Sequence, residues 1–113
     1  MISKELLSDV FGVDIKDDPE IGFAYDDYNG VELEWKEVRF NFISYPLDYV
    51  ANKCKEWALI RNRGLEIIIY QEAVIVRVTM LGVYGNGNIM HFENDKTEPE
   101  AIFKACQWIL DNK

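Results

Sequence analysis

The chain has 113 residues and a mass of 13.2 kDa, with 49% apolar and 13% aromatic residues, which fits one globular domain and excludes a disordered tail or a multidomain enzyme. Its 20 acids against 12 bases give a net charge of −8 and a pI near 4.6, which opposes direct nucleic-acid binding, because a protein that grips phosphate needs cationic surface to displace counterions. No apolar run approaches the ~18 residues of a membrane span and no signal-peptide pattern opens the chain, so a cytoplasmic protein is expected.

In chain order, Ser3 is placed to cap a first helix, with Ile2 and Leu7 as its hydrophobic staple, Leu6, Leu7, Val10 and Phe11 at helical spacing, and Gly12 as its terminator. Asp14 to Glu20 is acidic, contains Pro19 and lacks periodicity, so it reads as a loop entering a strand near Ile21. Asn29-Gly30 marks a hairpin, because both residues tolerate the positive φ of a type I′ turn. Val31, Leu33 and Trp35 alternate with polar residues, and Val38, Phe40 and Phe42 do so in the opposite parity. A strand cannot switch parity without a turn or a bulge, and the preferred reading is a break at Lys36-Glu37 between strands 31–35 and 38–43.

Pro46 opens a central helix with one apolar stripe of Leu47, Val50, Ala51, Cys54, Trp57 and Ala58, running to Ile60 and ending near Arg63-Gly64. Residues 65–70 and 73–81 are β-branched runs that form a second hairpin, and the unbroken Ile67-Ile68-Ile69 suggests a strand buried on both faces. Gly82 to Asn88 is a loop and Asn88 to Phe92 a strand. Thr97-Glu98-Pro99-Glu100 reads as a capping box for a last helix with Ile102, Ala105, Cys106 and Ile109 inward and a stripe broadened by Phe103, Trp108 and Leu110. The expected architecture is a single α+β domain over residues 1–113, in the order α-β-β-(β)-α-β-β-β-α, with antiparallel hairpins covered by three helices.

Three segments of this chain resemble the phage ABA sandwich domain, a small helix-strand-helix architecture of phage and prophage proteins. They are Leu6-Leu7-Ser8-Asp9-Val10-Phe11-Gly12, Tyr45-Pro46-Leu47-Asp48, and Thr97-Glu98-Pro99-Glu100-Ala101-Ile102-Phe103-Lys104-Ala105. Val13 stands where a tryptophan often follows the glycine in that family. The resemblance implies a phage or prophage origin and brings no catalytic residue or cofactor.

Few residues carry candidate chemistry. His91 is the only histidine, so any His-based relay must form around it, in a concave pocket with a second polar group in reach. One His and two distant thiols, Cys54 and Cys106, lack metal-ligand spacing and read as a strand residue and reduced core residues. Gly82, Gly85 and Gly87 precede a strand and not a helix, which argues against a phosphate loop. Asp17, Asp18, Glu20, Asp26 and Asp27 could ligate Ca²⁺ or Mg²⁺ but lack the order of a calcium loop. No catalytic residue, metal or cofactor is therefore assigned.

The acids themselves are concentrated. Residues 14–37 hold nine of them against two lysines, −7 of the net −8. Glu32, Glu34 and Lys36 share one strand side, either as a solubilising face that protects a sheet edge or as a surface that docks on a basic partner. Asp26, Asp27, Tyr28, Glu32 and Glu34 are the candidate interaction surface, with Tyr25, Trp35, Tyr45 and Tyr84 as further aromatics for an interface or the core. Trp57 and Trp108 read as packing residues. The expected function is protein contact or self-association without catalysis, the partner being another protein or a second copy. The alternative is an acidic inhibitor or immunity-like protein that occupies the nucleic-acid site of a basic enzyme.

Overall fold

Ser3 and Gly12 bound the first helix as their chemistry requires. In the computed structural model, which describes residues 1–26, 29–30, 32–82 and 88–112 and gives the backbone alone for 23–26 and 32–35, helix α1 spans Lys4–Phe11. The Ser3 hydroxyl accepts from the Leu6 amide at 3.0 Å, and Gly12 leaves the helix at φ +64. Ile2 and Leu7, the staple pair, are both buried.

Strands β1 (Glu20–Asp26), β2 (Glu32–Phe40) and β3 (Ile43–Pro46) form a first antiparallel sheet in that order. The expected break at Lys36-Glu37 is absent, and β2 runs through it. Between the pairs Ile21–Val38 and Phe23–Trp35, one residue of β1, Gly22, faces Lys36 and Glu37 of β2. This bulge, with Gly22 at φ +76, absorbs the parity switch and leaves the consecutive residues Glu37 and Val38 both buried. The chain turns later than expected, at Asn41-Phe42, where φ values of 51° and 64° and the flanking Phe40–Ile43 pair make a two-residue turn of type I′.

Helix α2 spans Leu47–Ile60 and buries all six members of its predicted stripe. Its end comes sooner than Gly64: Asn62 takes the left-handed conformation at φ 58°. Gly64 lies instead in β4, where a Cβ would stand 2.6 Å from the Thr79 hydroxyl oxygen.

Strands β4 (Arg63–Ile69), β5 (Val74–Met80) and β6 (Asn88–Asp95) form the second antiparallel sheet, with β5 central. The Ile67-Ile68-Ile69 run is not enclosed on both faces, because only one face of this sheet is covered by helices among the described residues; Ile69 is 68% exposed. Residues 83–87, including Tyr84, Gly85 and Gly87, lie outside the described residues.

Helix α3 spans Glu98–Asp111 and packs on all three strands of this sheet, on α2 and on α1. Thr97 is its N-cap residue, but the capping box does not form. The Thr97 hydroxyl is buried with no partner among the described residues, and the Glu100 carboxylate takes the Met1 ammonium at 2.6 Å. A full positive charge brought from the far end of the chain outcompetes a neutral amide. The sheet's outer face has no element against it among the described residues, and the shortest extent of the molecule is 17 Å. Its 7250 Å² of accessible surface accordingly exceeds the roughly 6,400 Å² of a rounder chain of this mass.

Cys54 and Cys106 are free and buried where α2 meets α3, and the Cys106 thiol lies 3.6 Å from the Cys54 carbonyl. The hydrogen bond with Cys106 and then burial push the Cys54 thiol up, which keeps it protonated and inert. From the middle of α3, Lys104 holds Asp95, the last residue of β6, at 3.0 Å. The hydrogen bond from Lys104, reinforced by the Lys96 amide, lowers the Asp95 carboxyl below its ordinary 3.8. A depressed carboxyl stabilises the fold above its unfolded value, and that contribution is lost as pH falls through the lower folded one. Asp95→Asn should therefore flatten the stability profile below about pH 4, checked by urea titrations from pH 2 to 7. An unchanged acid limb would show that the pair is energetically silent.

Candidate functional site

The acidic stretch and the β2–β3 turn meet at one end of the first sheet. Asn41 makes the junction: its side-chain oxygen accepts from the Lys16 amide at 2.6 Å, and its side-chain nitrogen donates to the Asp14 carbonyl at 2.8 Å. Buried Ile15 anchors the same loop to the core. The result is an open cleft of 520 Å³ with Lys16, Asp17, Asp18 and Glu20 on one side and Arg39, Phe40 and Phe42 on the other.

The floor is rigid. Phe40 stacks on Tyr45 at 5.0 Å, Phe11 meets both at 5.2 and 5.1 Å, and Tyr45 stacks on Tyr49 at 5.8 Å, which joins α1, β2, β3 and α2 in one aromatic cluster. From the cleft wall, Arg39 Nε donates to the buried Glu37 at Oε1, 2.7 Å away, while Glu37 Oε2 is buried with no partner among the described residues. With Arg39 committed to Glu37, the walls carry three carboxylates against one lysine.

Phe42 stands apart from this packing. It is 94% exposed and has φ 64° at the tip of a two-residue turn, a conformation that bulky residues rarely adopt. An aromatic ring beside several carboxylates can hold an arginine or lysine side chain through its face and its charge together.

Of the sequence-derived surface, Asp27 and Tyr28 lie outside the described residues, and Asp26, Glu32 and Glu34 are described by backbone only, in the Asp26–Glu32 and Ala24–Glu34 pairs. The side chains of Tyr25 and Trp35 likewise lie outside the description. Tyr45 belongs to the aromatic cluster that packs on Phe40. Sequence reasoning missed Phe42 and Asn41, and the available signal was an asparagine, tolerant of positive φ, two residues before β3.

His91 forms a different arrangement. Its Nε2 lies 2.7 Å from Glu93 Oε1, and its ring stacks on Trp108 with centroids 4.5 Å apart and planes at 5°. A second polar group is thus in reach, as an enzyme reading requires, but that nitrogen is already engaged by Glu93 and one ring face by Trp108. The adjacent 360 Å³ cleft is lined by Glu93, Trp108, Lys104 and others, without His91. Trp57 is buried and donates its indole N–H to Asp9 at 2.8 Å, with Arg61 over its ring at 4.2 Å, as a packing residue. Among the described residues no group of three His, Cys, Asp or Glu side chains gathers to hold a metal, and no helix is long and apolar enough to cross a membrane. Compared with known proteins, the chain matches no family model, no curated protein and no solved structure.

Proposed function

We propose that this chain is a cytoplasmic protein-recognition module of phage or prophage type that performs no reaction and holds a cationic segment of a partner at the end of its first sheet. The observation that supports this reading is Phe42, held almost wholly in water, in a left-handed conformation, beside a cleft walled by Asp17, Asp18 and Glu20. The phage assignment rests on the resemblance of its helix starts and ends to the ABA sandwich domain. The concentration of −7 charge in residues 14–37 favours a more specific form, an acidic inhibitor of a basic nucleic-acid-processing enzyme, drawn to its target by long-range attraction.

Phe42→Gly separates folding from binding. A left-handed non-glycine residue costs about 1–2 kcal/mol and glycine costs about 0.5–1 in chain entropy, so the variant should be as stable as the parent or up to about 1.5 kcal/mol more stable. Capture of a purified cationic nuclease and of an arginine-rich peptide should nevertheless weaken by about tenfold. Changing Asp17, Asp18 and Glu20 to their amides should slow association, most of all at low salt. Equal capture by parent and both variants would remove the reading. Capture of the peptide but not the nuclease would remove the inhibitor form alone.

A further inference from the structure

We infer that β4 is a dimerisation edge: the β4 strands of two copies pair antiparallel and join their second sheets into one sheet of six strands. This surface is separate from the acid-walled cleft. β4 bonds to β5 through alternate residues only. The Leu81 amide donates to the Asn62 carbonyl at 2.9 Å and the Tyr70 amide to the Ala73 carbonyl at 2.8 Å. With the register running from Arg63–Met80 to Ile69–Val74, these bonds make the even-numbered residues of β4 the hydrogen-bonded ones. The amides and carbonyls of Arg63, Leu65, Ile67 and Ile69 therefore face away from β5, and none meets a partner among the described residues.

Such a row is satisfied by water or by another strand, and proteins normally guard it. The opposite edge is guarded: β6 carries His91, Glu93 and Asp95 and has an irregular register at Val78/Thr79. β4 has no bulge, proline or lysine, and it leaves Ile69 and Tyr70 exposed at 68% and 56%.

Charge and register point to a second copy as the occupant. Residues 60–70 hold Arg61, Arg63 and Glu66, so in an acidic chain this is a segment where two copies meet without acid facing acid. With Ile67 on the two-fold axis, Leu65 lies opposite the partner's Ile69 and the outward backbone groups of both strands coincide. Glu66 then lies opposite the partner's Ile68 instead of a second glutamate. Tyr70 lies opposite the partner's Gly64, so no side chain of that residue stands against its ring. The contact is isologous and closes at two copies.

Sedimentation across a concentration series tests this, together with hydrogen exchange. The parent should rise from 13.2 kDa to twice that mass, and the amides of Leu65, Ile67 and Ile69 should slow as it does. Ile69→Lys adds a charge at an exposed position, and Ile69→Pro removes an N–H that β5 does not use. Both should keep the parent's circular dichroism and weaken the dimer by roughly tenfold or more. A parent that stays at 13.2 kDa at millimolar concentration, a dimer indifferent to both variants, or a dimer in which those amides stay unprotected overturns the proposal. Protection that appears only when an extended peptide is added also overturns it and assigns the edge to a foreign strand. None of these outcomes bears on the Phe42 cleft.

Discussion

Phe103→Ala is expected to destabilise the protein by about 3–5 kcal/mol, the cost of emptying a fully buried aromatic site plus the cavity left behind. Phe103 is 1% exposed and among the largest of the fully buried side chains, in one cluster with Leu6, Leu7 and Ile102. The helix that carries it is the hub of the fold, since α3 touches the second sheet, α2 and α1. The void therefore cannot be closed by shifting one neighbour. At about 4–8 °C per kcal/mol for a domain near this size, the melting temperature should fall by on the order of 20 °C. Denaturant titration with an unchanged slope would assign the loss to the folded core. A loss below about 1 kcal/mol would show that α3 does not pack as described. Phe42, the same residue type at 94% exposure, is the internal contrast: its removal leaves no cavity.

The helices were legible because their signals are local. Ser3, Gly12 and the α2 stripe each act within a few residues, and the broad apolar face of α3 is explained by neighbours on several sides. What failed was decided at a distance. The parity switch in β2 was readable, but whether it became a turn or a bulge depended on Gly22, a residue of the opposite strand. The capping box looked complete until Met1, 99 residues away, claimed Glu100. The Asn41-Phe42 turn was hidden because phenylalanine argues against positive φ and fits an alternating strand. For the candidate site, the acidic wall was plain in the sequence, while the aromatic that faces it became visible only once the turn placed Phe42 beside Asp17 and Asp18.

The buried acid paired with that cleft's arginine sets the second large effect. Arg39→Met should cost about 2–4 kcal/mol, although Arg39 is 43% exposed at its side chain. The reason is Glu37: it is 1% exposed, its Oε1 depends on the guanidinium at 2.7 Å, and its Oε2 has no partner among the described residues. Breaking a buried pair from one side strands a charge at about 3–5 kcal/mol, and partial hydration of Arg39 discounts that figure. Glu37 is there because the bulge opposite Gly22 turns it inward, so the cost follows from backbone geometry. Glu37→Leu in the Arg39→Met background should recover most of the loss, since two apolar groups leave no charge to desolvate. A double variant no more stable than Arg39→Met would mean that Arg39 acts through other contacts. The same double variant leaves Asp17, Asp18, Glu20 and Phe42 in place and removes one acid together with the base that pairs with it, so the net charge at the cleft is unchanged. It should therefore bind a cationic partner as tightly as the parent.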